Sequence, residues 1–252
     1  MTTLIQEDKP SRATVTIGWD DVPWLDEQTK REILASTPPH LRATVSRGVP
    51  TIGSGAIYPI PLENITVDPF PIPPHYKKMY GMDVGWRYTA AVFGALDPDT
   101  DILYINCEYI EEKKIPELHA AAIKRTAGDW MIGAIDPAAA QGEKMNGDNL
   151  LREYRRLGLR LREADNGVGD GIYKVWSRLE LGKLKFFNGL TPKLQNEYLI
   201  YRRDENGKIV KEHDHCLDAL RYMCNSLQFA NVSPAALKPR NNTLTTQRRY
   251  NV

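Results

Sequence analysis

"KKMYGMDVGWRYTAAVFGALDPDTDILYINCEYIE", residues 77–111, is the stretch on which the fold turns. "KKMYGMDVG" reads as a strand, "YTAAVFGALD" as a second, "PDTD" as a turn and "ILYINCEYIE" as a third strand. The segment therefore predicts a hairpin extended by one more strand. Asp83 interrupts the apolar part of the first run. Strand interiors are depleted in Asp, and a buried carboxylate is unfavourable unless it is paired or binds a metal.

Beyond residue 111 helix and strand alternate. "IPELHAAAIKRTAG" (115–128) predicts a helix, with Pro116 in its first turn and Gly128 at its end. "WMIGAIDP" (130–137) is a short buried strand. "GDNLLREYRRLG" (147–158) is an amphipathic helix that places Leu150, Leu151, Tyr154 and Leu157 on one face. "LRLREA" predicts a strand, "DGIYKVWSRLELG" a helix and "KLKFF" a short strand. "YLIYRRDENGKIVK" (198–211) reads as a hairpin around Asn206-Gly207, and "DHCLDALRYMCNSLQFA" (214–230) as the last helix. Three strands followed by alternating helix and strand make an α/β fold with mixed strand directions.

Upstream, residues 50–74 hold Pro50, Pro59, Pro61, Pro69, Pro71, Pro73 and Pro74. That density argues against helix and central strand and predicts a linker or an extended arm packed on a neighbour. Residues 1 to about 50 predict a short strand, "ATVTIGW", and a helix, "EQTKREILAS", with Asp26 as its N-cap and Pro38 and Pro39 as its stop. The expected organisation is an N-terminal segment (1–50), a proline-rich linker (51–77), the main domain (78–230) and a polar, basic, disordered tail (231–252).

The 252 residues are 42% hydrophobic and 26% charged, enough for one or two globular domains with a sizeable core. A net charge of +1 leaves no global field for nucleic acid, so any basic surface is local. Cys107, Cys216 and Cys224 form no CxxC pair. This argues against a zinc cluster or disulfide framework and makes a reducing compartment the default. The apolar runs are too short to span a bilayer and the N-terminus lacks a signal-peptide pattern, so no membrane partner is expected.

Three carboxylates fall where chemistry is possible. Asp83 lies in the first strand of the 77–111 segment, and Asp136 ends the strand "MIGAID", where ligands gather in open α/β sheets. On the last helix Leu217, Leu220, Met223, Cys224 and Leu227 share one face, with Asp214, His215, Asp218 and Tyr222 opposite. If Asp83, Asp136 and Asp218 converge, hard oxygen ligands of this kind suit Mg²⁺ or Mn²⁺. A pair of such ions activates water and stabilises the leaving oxygen of a phosphodiester. The alternatives are that Asp136 serves a turn before Pro137 and that Asp214 and Asp218 are a solvated helix face, unless something cationic sits between them and a partner elsewhere in the fold.

At this point a resemblance enters. The chain resembles the C-terminal nuclease domain of the large terminase subunit, the DNA-packaging motor of tailed phages. It is carried by "WDDVPWLDEQTKREILASTPPHLRATVSRGVPTIGSGAIYPI" (19–60), "YGMDVGWRYTAAVFGA" (80–95), "IDPAAAQ" (135–141), "EADNGVGDGIYKVWSRLELGKLKFF" (163–187) and "YRRDENGKIVKEHDHCLDALRYM" (201–223). The resemblance implies an RNase H-like α/β fold with a mixed five-stranded central sheet flanked by helices. It implies that Asp83, Asp136 and Asp218 bind Mg²⁺ or Mn²⁺, two ions, in a metal-dependent endonuclease that cuts concatemeric double-stranded viral DNA. His215 stands where some members place another active-site residue, and is read as metal ligand, proton shuttle or hydrogen-bonded neighbour of Asp218. The implied partners are double-stranded DNA, the ATPase domain of the same full-length chain, the small terminase subunit and the portal protein, in the host cytoplasm. No GxxxxGK[ST] loop occurs, so ATP hydrolysis is not expected and the chain reads as a fragment of a longer protein.

"LREYRRLGLRLRE" places five arginines between Arg152 and Arg162, of which Arg152, Arg155 and Arg156 point away from the apolar helix face. Arg202, Arg203 and Lys208 follow in the predicted hairpin, and Lys238, Arg240, Arg248 and Arg249 in the tail. Such residues suit phosphate contacts that do not read sequence, or a solvated face. Two further readings compete. "DVGWRYT" loosely matches the first phosphate loop of actin-like and sugar-kinase ATPases, although a second domain and second Gly-rich loop are missing. A non-catalytic docking module would keep the carboxylates as vestiges.

Overall fold

The computed structural model describes residues 4–6, 13–15, 17–36, 46, 55–85, 87–140, 149–165, 167–204 and 206–237. The tail lysine and arginines from 238 onward therefore lie outside the described residues. At the N-terminus β1 (Leu4–Gln6) pairs antiparallel with β2 (Ala13–Val15). Helix α1 (Glu27–Ser36) follows, and Asp26 Oδ1 caps it by accepting from Gln28 N and Thr29 N, both at 2.9 Å.

The decisive stretch forms three antiparallel neighbours, β4 (Lys77–Val84), β5 (Tyr88–Leu96) and β6 (Leu103–Glu112). The turn between β5 and β6 is closed by Asp97, whose carboxylate accepts from Asp99 N and Thr100 Oγ1. Helix α3 (Pro116–Ala127) then leads to β7 (Ile132–Ile135), and α4 (Leu150–Arg156) to β8 (Arg160–Glu163). Both strands run parallel to β4 on its free side. Helix α5 (Val168–Glu180) returns the chain across the sheet to β9 (Leu184–Phe187), parallel to β6.

The sheet has seven strands, in the order β3-β9-β6-β5-β4-β7-β8, rather than the five expected. Both additions lie on the β6 side. The proline-rich stretch packs on the domain and carries a short helix α2 (Leu62–Ile65) and β3 (Thr66–Val67), which pairs with β9. Helix was not expected there. The proline-free window between Pro61 and Pro69 allows one turn and a two-residue edge strand, while Tyr58 and Ile65 bury their side chains.

The expected hairpin over 198–211 is also corrected. Tyr198–Ile200 end a helix, α6 (Pro192–Ile200), and only a single bridge, Arg203 to Ile209, remains around the Asn206-Gly207 turn. Helix α6 starts on Pro192, a favoured first position, and its first amides are bound from a distance. Glu108 on β6 accepts from Lys193 N at 2.7 Å and Leu194 N at 2.9 Å.

Helix α7 (His215–Asn225) closes the fold. Alternation along β4 sends Met79, Gly81 and Asp83 to one face of the sheet and Tyr80 and Met82 to the other. The first face buries Met79, Ala90, Val92 and Ala134 against Leu217, Leu220 and Met223 of α7 and against Val175 and Leu179 of α5. The second buries Tyr80, Met82, Phe93 and Ile135 against Ile123 of α3 and Leu151 and Tyr154 of α4. Helix α7 is not amphipathic in the expected sense. Ala219, Arg221 and Tyr222 are buried as well: Ala219 lies against β4, and the Arg221 stem packs on α5, where a Cβ on Gly171 would come within 2.6 Å of its Cγ. No helix among the described residues is long and apolar enough to cross a membrane.

Two contacts fix α7. A Cβ on Gly81 would lie 1.8 Å from the Ala219 carbonyl oxygen, so the helix backbone rests directly on the strand backbone. At the helix start, buried Glu197 of α6 accepts from Cys216 N at 2.7 Å and Leu217 N at 3.0 Å. Asp214, at the N-cap position, makes no side-chain cap.

Gly81→Ala should destabilise the domain by about 3 kcal/mol or more, because the obstacle is backbone and cannot change rotamer. The check is the urea midpoint at unchanged slope; a variant within ~0.5 kcal/mol of the parent would contradict the account. Glu197 gives a pH signature. Burial pushes its carboxyl up to about 8 from 4.5, outweighing the two amide donors. The folded chain thus holds this proton between those values while the unfolded chain has released it, so the contribution to stability is full below the lower value and falls as pH rises through the upper. The stability difference between the parent and Glu197→Gln should accordingly decline from about pH 5 to about pH 8. A flat or rising difference would exclude the buried proton.

Candidate metal centre

Asp83 and Asp136 come together through strand register. Strands β4 and β7 are parallel with Met82 opposite Ile135. The residues that follow, Asp83 in β4 and Asp136 just past β7, reach neighbouring strand ends, and Asp136 N donates to Met82 O at 3.2 Å. Asp136 Oδ1 accepts from Ala138 N at 3.0 Å, so its turn chemistry and its place at the sheet end coexist.

Helix α7 supplies the rest. His215 Nδ1 lies 2.9 Å from Asp83 Oδ2, and the imidazole packs beside the Tyr88 ring at 4.9 Å between centroids. The expected neighbour of His215 was Asp218; the structure makes it Asp83. Asp218 Oδ1 accepts from Arg221 Nε at 3.2 Å and Nη2 at 2.9 Å. Asp218 Oδ2 has Lys211 Nζ at 3.4 Å, and the same ammonium is 3.3 Å from Asp214 Oδ2. The Lys211 ammonium thus lies between the two carboxylates.

The electrostatics follow. Burial raises the pKa of Asp83, and the charges of Asp218 and Asp136 raise it further, against the lowering effect of the His215 hydrogen bond and charge. The bond to Asp83 raises the His215 pKa, against partial burial. Burial works against the charge of Lys211, but Asp218 and Asp214 outweigh it and raise its pKa. Three acids are thus gathered tightly enough to feel each other, and Lys211 and Arg221, with the His215 hydrogen bond to Asp83, offset them. Arg221 and Lys211 were not singled out from the sequence. Arg221 had a signal, since the Asp218–Arg221 spacing of three joins residues on one helix surface.

The donor set fits a hard divalent cation: carboxylates from two strand ends and a rigid helix, with Asp83 desolvated and short of compensating donors. The ligand atoms of Asp83, Asp136 and Asp218 do not all lie within 4.8 Å of one another. Ions ~3.5–4 Å apart, as in two-metal sites, ask for carboxylates spread around them. Among the described residues the one trio that does close to 4.8 Å is His75, Asp97 and Asp99, at the opposite end of β4. There both Asp97 oxygens are taken by the β5–β6 turn.

The basic candidates separate. Helix α4 packs on the face of the sheet opposite α7. Its Arg155 is committed to structure, donating from Nε and Nη2 to Leu161 O at 3.1 and 2.9 Å, while Arg152 and Arg156 are exposed. Arg202, Arg203 and Lys208 are exposed on the loop that runs directly into Lys211 and α7. Arg203 Nη1 donates to Gly207 O at 2.9 Å, which holds that loop closed.

Comparison with known proteins bears on the family and the fold. The family model "Terminase RNaseH-like domain" matches residues 80–227. The chain is 31% identical over 248 residues to the large terminase subunit of Salmonella phage P22, covering 95% of this chain and 49% of that protein. It is likewise 31% identical to the large terminase subunit of Enterobacteria phage LP7, covering 88% of this chain and 48% of that one. The chain spans about half the length of these curated relatives. Among solved structures, the P22 large terminase nuclease domain superposes with a TM-score of 0.66 at 31% identity, covering 75% of this chain and all of that one. The large terminase nuclease domain of bacteriophage SPP1, solved with bound Mn, shares the fold at a TM-score of 0.50 and 19% identity over 65% of this chain and 96% of that one. With Asp83 and Asp136 at adjoining strand ends, α7 laid over them and a family model matching residues 80–227, the chain belongs to the terminase RNase H-like domain family, the nuclease part of the phage large terminase subunit.

Proposed function

We propose that this domain is a divalent-metal-dependent endonuclease that cuts concatemeric double-stranded viral DNA during genome packaging. The observation that carries the reading is the meeting of Asp83, Asp136 and Asp218 at one end of the sheet. Asp83, Asp136 and Asp218 would hold Mg²⁺ or Mn²⁺, most simply as two ions. Ions so held activate water and stabilise the leaving oxygen of a phosphodiester. Around them the chain's own residues set the geometry. Gly81 and Glu197 hold α7, Arg221 fixes the Asp218 carboxylate by one oxygen, and His215 fixes Asp83 Oδ2 and holds a proton there.

DNA would approach along the exposed 202–211 loop, where Arg202, Arg203 and Lys208 offer phosphate contacts without base readout. Arg152 and Arg156 remain proposed contacts on the far face; Arg155 is better explained by its hold on Leu161. In the full-length protein this domain would act beside an ATPase domain, with the small subunit and portal as partners, in the host cytoplasm.

Supercoiled plasmid should be nicked with Mn²⁺ or Mg²⁺ and spared with EDTA; a folded sample that cuts at no metal concentration would refute the reading. Asp83→Asn, Asp136→Asn and Asp218→Asn should each lose more than the ~10–100-fold that an outer partner is worth, and His215→Ala should fall within that range. Asp214→Asn should retain more activity than Asp218→Asn. Neutralising Arg202, Arg203 and Lys208 together should lower the slope of log affinity against log salt by about 0.9 for each phosphate they neutralise in the parent. An unchanged slope would return them to a solvated face.

A further inference from the structure

We infer that Lys211 is a built-in stand-in for the divalent ion: it occupies Asp218 Oδ2 and is displaced when metal binds. The inference rests on the metal-centre reading above and adds a residue to it. Asp218 has two oxygens. Oδ1 is held from two directions by the guanidinium of Arg221, which is buried and cannot leave without exposing a charge to the core. Oδ2 is the oxygen left for a metal, and Lys211 Nζ faces it at 3.4 Å while facing Asp214 Oδ2 at 3.3 Å.

The two cations differ in how easily they move. The Arg221 side chain is 3% exposed and that of Lys211 58%. A half-exposed ion pair at this spacing is weak and exchangeable, whereas a divalent ion with a desolvated carboxylate set binds at the same oxygen with twice the charge. Without Lys211, Asp214 and Asp218 would face each other across the first turn of α7 with only Arg221 to offset them, and like charges there are destabilising. Lys211 removes that repulsion in the metal-free protein.

Displacement also has a direction. Lys211 ends the exposed loop that carries Arg202, Arg203 and Lys208. An ammonium released from Asp218 joins that basic stretch as a further phosphate contact. Metal binding and DNA binding would then reinforce each other through one side chain.

The test reads the ammonium itself. Wild-type protein without DNA is treated briefly with an amine-acetylating reagent, with and without Mg²⁺, and each lysine is quantified by peptide mass spectrometry. Lys211 should be slow without metal and at least about threefold faster with it, since breaking a weak ion pair is worth that order. Lys124, on the opposite face of the sheet, should not change. In parallel, calorimetry should show Mn²⁺ binding about fivefold tighter to Lys211→Met than to the parent. Lys211 is a surface side chain, so the variant should keep its circular dichroism spectrum. Metal binding to the wild type with no change at Lys211, or equal or weaker binding to Lys211→Met, overturns the inference and leaves the metal centre standing. Absence of metal binding in both proteins overturns the metal centre and this inference together.

Discussion

The structure depends on one steric fact: the backbone of α7 lies on the backbone of β4 at Gly81. Any larger residue would meet the Ala219 carbonyl. That approach sets the helix axis close to the sheet, and Asp83, two residues further along the strand on the same face, comes within reach of His215. Asp218 then hangs at the same sheet end, one position before Ala219. A helix held a few ångströms further out would lose packing against the sheet and would leave the carboxylates in separate places.

The start of α7 is held by a different device, two acids in series, the half-buried Glu108 and the buried Glu197. Glu108 on β6 binds the first amides of α6, and Glu197 on α6 binds the first amides of α7. Helix starts leave unpaired N–H groups that are unfavourable when buried, and each glutamate supplies the acceptor oxygens that its two amides need. The central strand thus sets α6, and α6 sets the helix that carries Asp218. Both glutamates are themselves pushed toward the protonated form by burial, which ties the rigidity of the site to pH.

Electrostatics explain why an acid-rich centre is compatible with a stable fold. Asp83, Asp214 and Asp218 each have a partner that offsets their charge: the His215 imidazole by a hydrogen bond, Lys211, and Lys211 with Arg221. The partners range from a buried, bidentate arginine to a half-exposed lysine. That gradient separates what shapes the site from what can be exchanged there.

Most of the element order from β4 to β9 was legible in the sequence, because hydrophobic period, the 98–101 turn and the Pro116 and Gly128 helix ends are local signals; α2, β3 and α6 were not. So were Asp83 and Asp136, since a carboxylate in or just after an apolar strand contradicts its own surroundings. What the sequence left open is contact between residues far apart along the chain. The end of helix α6 reads as a strand in the sequence because "YLIY" has strand propensity, and its helix start is capped by Glu108, some 86 residues earlier. The pairing of His215 with Asp83 spans 132 residues. Lys211, seven residues before Asp218, reaches it only because the loop folds back at the start of α7. Propensity and periodicity determine which segments become strands and helices; which side chains then meet is decided by the close seating of those segments, and that depends on atoms such as the missing Cβ of Gly81 that no local pattern weighs.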